Sequence, residues 1–177
     1  MIKKIENISK KYHHPEFLCH VQFVRKIALE LQKKHGGNKK VIEIAALLHD
    51  IGRGNERGNE DHADAGARLA EMELEKLGLR KELVKDVKNC ILSHNMKAKQ
   101  PETIEEKIIA TADAASVIKY PAAFIMLSNK PIKMRAEWFL RKIEKDFKRI
   151  QFEDYKNLLR EGFEELKKSL EMIMNSG

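Results

Sequence analysis

Apolar residues recur at three- and four-residue intervals along nearly the whole chain, and no segment alternates apolar with polar residues in the two-residue period of a strand. Phe17, Val24, Ile27 and Leu31 form one such seam, Ala65, Leu69 and Met72 a second, and Val84, Val87 and Ile91 a third. Later come Phe139, Ile143, Phe147 and Ile150, then Tyr155, Leu158, Leu159, Phe163, Leu166, Leu170 and Ile173. The pattern predicts helices from Ile2 to Tyr12, Pro15 to Lys34, Lys39 to Asp50, His62 to Leu77, Arg80 to His94 and Ile104 to Lys119. A short helix from Pro121 to Leu127 and long ones from Pro131 to Ile150 and Phe152 to Ile173 follow. Glycines at 36, 37 and 78 close helices, and prolines at 15, 101, 121 and 131 stand near their starts. The fold class is all-α, read as a single domain over residues 1–177 with a core at about 15–119 and a helical extension at about 121–173.

Several seams are continued by the wrong kind of residue. His20 fills the inward position between Phe17 and Val24, His94 extends the Val84, Val87, Ile91 series, and His62 lies one turn before Ala65. The segment VIEIAALLHD is apolar around most of its circumference, which marks a central helix, yet it ends in His49 and Asp50. Asp113 is likewise embedded among Ile108, Ile109, Ala112, Val117 and Ile118. A lone buried carboxylate costs several kcal/mol, on the order of the effective desolvation penalty, unless a cation accompanies it. One buried histidine is commonly a core residue satisfied by a single hydrogen bond. Four of the seven histidines on inward stripes, with two aspartates and no Lys or Arg on the same stripes, instead make a donor set for Mn, Fe, Ni, Co, Zn or Mg.

Composition narrows the classes. Apolar residues make up 42% and charged residues 34% of 177 positions, the balance of a folded water-soluble domain. No apolar run is long enough to span a bilayer and MIKKIENISKKYHH has no signal-peptide core, so the expected location is cytoplasmic, with no membrane partner. The net charge of +7 would draw an anionic substrate, but Lys and Arg are dispersed among Glu and Asp. That distribution favours a small phosphorylated molecule over a nucleic acid. Cys19 and Cys90 have no paired spacing and read as buried small hydrophobes. The C-terminal stripe needs a cover, which could be the N-terminal bundle or a second subunit of a homodimer.

The ordered blocks AALLHDIGR, DHADAGARLAE, ILSHN and PETIEEKIIATAD, with His20 ahead of them, resemble the HD-domain superfamily of metal-dependent phosphohydrolases, of the small bacterial and archaeal type. The resemblance covers roughly residues 15–119. It departs at TADAAS, where close relatives often read Asp-Ala-Asp followed by Leu-Asp; Asp113 stands in the ligand position without the flanking acids. The resemblance implies an HD-type helical bundle and a divalent metal held by His20, His49, Asp50 and Asp113. In two-metal members, residues in the positions of His62 and His94 join a second ion, bridged by the aspartate in the position of Asp50.

The activity so implied is hydrolysis of a phosphate ester or anhydride, of a nucleotide, by metal-activated water. Arg53 and Arg57 are candidate phosphate clamps, with Lys97 and Lys99 behind them. Asp64, or Glu60, could position water, alongside the roles of Asp50 and Arg53 in catalysis. Two other readings remain: a di-iron HD-type oxygenase using all six ligands, and a non-catalytic helical sensor or nucleic-acid-binding module.

Overall fold

In a computed structural model, which describes residues 1–97, 99–125 and 130–176, the described residues form nine α-helices and no strand. They are α1 (Ile2–Tyr12), α2 (Leu18–His35), α3 (Lys39–Leu48), α4 (His62–Lys76), α5 (Lys81–Ser93), α6 (Ile104–Lys119), α7 (Ala122–Ile125), α8 (Ile132–Arg149) and α9 (Glu153–Asn175). Contacts divide the chain into two compact units, Met1–Asp113 and Ala114–Gly177, with the division inside α6. No helix among the described residues is long and apolar enough to cross a membrane.

In the first unit α3 is the central element, packed against α1, α2 and α5. Its Val41, Ile42, Ile44, Ala45, Ala46, Leu47 and Leu48 are all buried, and each large aliphatic contributes roughly 1.5–3 kcal/mol of transfer free energy. Asn38 starts the helix by accepting hydrogen bonds from the Lys40 and Val41 amides at 3.1 and 3.4 Å. α3 ends at Leu48 rather than Asp50: the amide of Ile51 bonds to the Leu48 carbonyl at 3.2 Å and that of Arg53 to Asp50 at 3.0 Å. His49 and Asp50 therefore lie in the tight turn that follows the helix.

The start of α2 also differs from expectation, because Pro15–Phe17 form a 3₁₀ turn before the helix begins at Leu18. Cys19 is exposed, since it stands beside inward-facing His20 and points away from the seam; Cys90 is buried as expected. Met72 is exposed, and Ala70, Glu73 and Leu74 face inward in its place. Glu73 is tolerated there because the Tyr12 hydroxyl and the Lys11 ammonium both donate to its Oε1, at 2.6 and 2.8 Å, joining α1 to α4. Of the short helix expected from Pro121 to Leu127, α7 covers Ala122–Ile125; residues 126 and 127 lie outside the described residues.

In the second unit α8 and α9 pack on each other. Phe139, Ile143 and Phe147 of α8 and Tyr155, Leu159 and Phe163 of α9 are buried, and the rings of Phe147 and Phe163 stack at 4.2 Å. Leu158 is the exception at 70% exposure, because Leu159 takes the inward position beside it.

The Lys11 and Tyr12 hydrogen bonds hold the Glu73 carboxyl below its ordinary value of 4.5. A depressed folded-state pKa gives stability that is present above about pH 4.5 and is lost as pH falls through the folded value. Glu73→Gln should lower the thermal midpoint at pH 7, and its difference from wild type should shrink below pH 4.5, as read by unfolding curves from pH 7 to 3.

Candidate metal centre

His20, from the first turn of α2, and the His49-Asp50 turn after α3 meet in the interior of the first unit. Nε2 of His20 lies 3.1 Å from Nε2 of His49 and 3.7 Å from Oδ2 of Asp50. Asp113, on α6, brings its Oδ1 to 3.3 Å from His20 Nε2 and 3.8 Å from His49 Nε2. On the other side of Asp50, Oδ1 lies 3.6 Å from His62 Nε2 and 3.4 Å from His94 Nε2, and those two nitrogens are 3.3 Å apart. The two oxygens of one carboxylate therefore face two different histidine pairs.

The protonation of these rings is set by their other nitrogen. His49 Nδ1 donates to the Ala46 carbonyl at 3.0 Å and His94 Nδ1 to the Ile91 carbonyl at 2.6 Å, each one turn back along the chain. With Nδ1 so engaged, Nε2 is the ring atom each histidine turns to the centre. Burial presses His49 down to about 3, and burial with the nearby Arg53 charge presses His62 down to about 4, so both imidazoles are neutral at pH 7. Asp50 is buried; burial alone would raise its pKa, but the neighbouring histidines and Arg53 hold it well below the ordinary carboxylate value. Its Oδ1 is buried without a hydrogen-bond partner.

Imidazole nitrogens and carboxylate oxygens crowded into one buried volume suit a cation placed among them, which satisfies several acceptors at once. Nitrogen and oxygen ligands about 2.0–2.2 Å from one ion stand roughly 3 Å apart when adjacent, comparable with the separations found here. His20, His49 and Asp50 make one group able to hold a metal, and Asp50, His62 and His94 a second, sharing the aspartate. The residues present fit a divalent ion in either group.

Arg53 donates from Nε to Asp50 Oδ2 at 2.6 Å with its side chain 45% exposed, so part of the guanidinium is open to solvent while anchored at the centre. The other sequence candidates lie elsewhere. Arg57 and Asp64 are exposed; Asp64 stands two positions past His62, on the outer side of α4, and belongs to neither group. Lys97 is bound to Asp61 at 2.8 Å and Lys99 to buried Glu106 at 2.8 Å. Glu60 accepts from Arg68 through both oxygens and from the Arg57 amide, which ties the loop.

Two features of the loop escaped the reading of motifs. Asn55 Nδ2 donates to the carbonyls of Ile51 and Arg53, at 3.1 and 3.2 Å, and lies 3.4 Å from that of Tyr12, so the glycine-rich segment is fastened to α1. Gly52 packs against α4 so closely that a Cβ there would meet the His62 carbonyl oxygen at 2.0 Å and the Gly66 amide nitrogen at 2.4 Å. That contact brings the His49-Asp50 turn to His62. Its only sequence signal is the glycine itself, in HDIG, with nothing to name the partner. His13 is also buried, with Nδ1 2.9 Å from the Ser9 carbonyl.

The family model described as HD domain matches residues 17–118. A tRNA (cytidine(56)-2'-O)-methyltransferase of Picrophilus torridus is 35% identical over 124 residues, covering 64% of this chain and 33% of that protein. A ribonuclease Y of Rubrobacter xylanophilus is 35% identical over 103 residues, 58% of this chain and 18% of the relative. A bifunctional uridylyltransferase/uridylyl-removing enzyme of Ruegeria pomeroyi is 50% identical over 48 residues, 27% of this chain and 5% of the relative. The chain thus spans a third or less of the length of these curated relatives. The crystal structure of an HD-superfamily hydrolase from Bacillus thuringiensis shares the fold, with a TM-score of 0.71 at 24% identity over 98% of this chain and 94% of that one.

Gly52→Ala should destabilise the protein by about 3 kcal/mol or prevent folding, since the colliding atoms are backbone. Gly66→Ala, whose new Cβ would meet the Ile91 Cγ2 at 3.2 Å, should cost less; denaturant titration of the two variants checks the order.

Proposed function

This chain belongs to the HD-domain family, and on that premise we propose that it is a metal-dependent phosphohydrolase acting on a small phosphorylated substrate, a nucleotide. The observation that carries the reading is the Asp50 carboxylate: buried, its Oδ1 without a hydrogen-bond partner, and facing two histidine pairs at once. A divalent metal bound there would supply Lewis acidity, lowering the pKa of water toward neutrality and polarising a phosphoryl oxygen. His20, His49, Asp50 and Asp113 would hold one such ion, and His62 and His94, with Asp50 between, a second.

The remaining tasks fall to the chain's own side chains. Hydrogen bonds from His49 and His94 to carbonyls one turn back keep both rings oriented, so no reorganisation of these groups accompanies the reaction. Arg53 spends Nε on Asp50 and keeps its outer N–H groups for the substrate, where a planar fork suits two phosphoryl oxygens. A phosphate gripped there is placed beside the centre that activates water, which is the main requirement of an in-line displacement. Arg57, exposed in the same loop, is a second cation for a longer phosphate chain.

Support for a nucleotide comes from the relatives' names, a ribonuclease, a tRNA methyltransferase and a uridylyl-removing enzyme, which all refer to nucleotide-containing substrates. The net charge of +7 agrees with an anionic substrate. The convergence of all six ligands also keeps the di-iron oxygenase reading open, because that chemistry would use the same set.

Purified protein should contain or take up a divalent metal and release phosphate or pyrophosphate from one or more members of a nucleoside mono- and triphosphate panel with Mn²⁺ or Co²⁺. Asp50→Ala should abolish that release and most metal uptake, and Arg53→Ala should raise KM by about tenfold with a smaller change in kcat. Failure to bind any divalent metal overturns the proposal. Bound iron with visible absorbance and no phosphate release from any substrate would transfer the site to oxygen chemistry.

A further inference from the structure

Resting on the two-ion reading above, we propose that Asp61, Asn95 and Lys97 form a clamp that builds the His62–His94 half of the site, with Asp61 as the positioning residue for the second ion. Asp61 precedes α4 and caps it in the ordinary way, Oδ1 accepting from the Ala63 amide at 2.9 Å. A cap needs no more than that, yet this carboxylate collects further groups. Asn95 Nδ2 donates to the same Oδ1 at 2.9 Å, Lys97 Nζ donates to Oδ2 at 2.8 Å, and His62 Nδ1 lies 3.3 Å from Oδ1.

Asn95 and Lys97 both follow His94 directly, so Asp61 joins the residue before one histidine to the residues after the other. The chain bends sharply to allow it. Met96, between the two, has φ of 54°, the one positive value on a non-glycine residue among those described. An L-residue there carries strain of order 1 kcal/mol or more and persists when its surroundings fix it. Here the Met96 amide bonds to the Ser93 carbonyl at 3.1 Å and the Lys97 amide to Asn95 Oδ1 at 3.0 Å. The turn directs two side chains of one short segment onto one carboxylate.

The need for such a device follows from where His62 sits. His49 and His94 each come at the end of a helix, and their Nδ1 protons go to a carbonyl one turn back. His62 is the first residue of α4, so no preceding turn of its own helix offers that carbonyl. Asp61 stands in for it. Its charge beside Nδ1 keeps the proton on that nitrogen and the Nε2 lone pair toward Asp50, and Lys97 offsets the charge on the outer side. The same arrangement takes Lys97 out of the group of phosphate grips and gives it a part in assembling the site.

The test is metal stoichiometry and affinity, by equilibrium dialysis and titration calorimetry with Mn²⁺, together with the electron paramagnetic resonance signal of coupled Mn²⁺ pairs. Wild type should bind two equivalents. Asp61→Asn, which keeps a good helix cap, should leave the first affinity within about twofold and weaken the second by about 10- to 100-fold, with loss of the coupled signal. Lys97→Met should weaken the second equivalent to a smaller extent, and serves as the deciding variant should Asp61→Asn not fold. Two wild-type affinities in the variants overturn the clamp alone. Equal weakening of both equivalents with a lowered unfolding midpoint of the metal-free protein overturns it too, as the sign of general loosening. A wild type that binds one equivalent overturns the clamp and the two-ion reading together.

Discussion

Everything in the first unit turns on the buried carboxylate of Asp50. Taken into the protein interior alone it would cost several kcal/mol (order of magnitude), and four imidazole rings crowd the same small volume. Arg53 compensates one oxygen from outside. The other, Oδ1, has no hydrogen-bond partner, and the space between it and the histidine nitrogens could hold a cation.

The surrounding structure serves to hold that unfavourable constellation together. α3, buried nearly all round, supplies the rigid stem from which His49 and Asp50 emerge. Gly52 lets the turn after them lie directly against the start of α4, and Asn55 and Arg68 fasten the rest of the loop, so a segment rich in glycine is tied at several points. The histidines are then oriented by two different means. Those at helix ends use the backbone of their own last turn, and the one at a helix start uses a neighbouring carboxylate.

The second unit illustrates a simpler kind of economy. Two amphipathic helices joined by a short link pack on each other, with Phe147 against Phe163 at the contact. Asp146 is buried in the same unit and is neutralised by Lys142 and Arg149 at 2.9 and 2.7 Å, one helical turn away on either side. Here buried charge is answered within one helix by the i, i+3 and i, i+4 rule, whereas Asp50 has a single arginine and the histidines. The contrast marks which buried acid is structural.

Periodicity in the sequence was sufficient for the all-α class and for the existence of the long helices, because an amphipathic helix writes its buried face into residue order. It was also sufficient for the inward placement of His20, His49, Asp50 and His94, since a polar residue on an apolar seam is visible without coordinates. It could not tell Met72 from Glu73 as the buried residue, or place Lys97 and Glu60 in ion pairs, because those outcomes depend on groups far away in the chain: Tyr12 and Lys11 for Glu73, Asp61 for Lys97, Arg68 for Glu60. Nor could it reveal that Gly52 meets Gly66, or that one aspartate divides its two oxygens between two histidine pairs. Residue types are a property of the sequence, but the distance between residues 50 and 94 is set by how three helices pack, and that was decided by the tertiary structure alone.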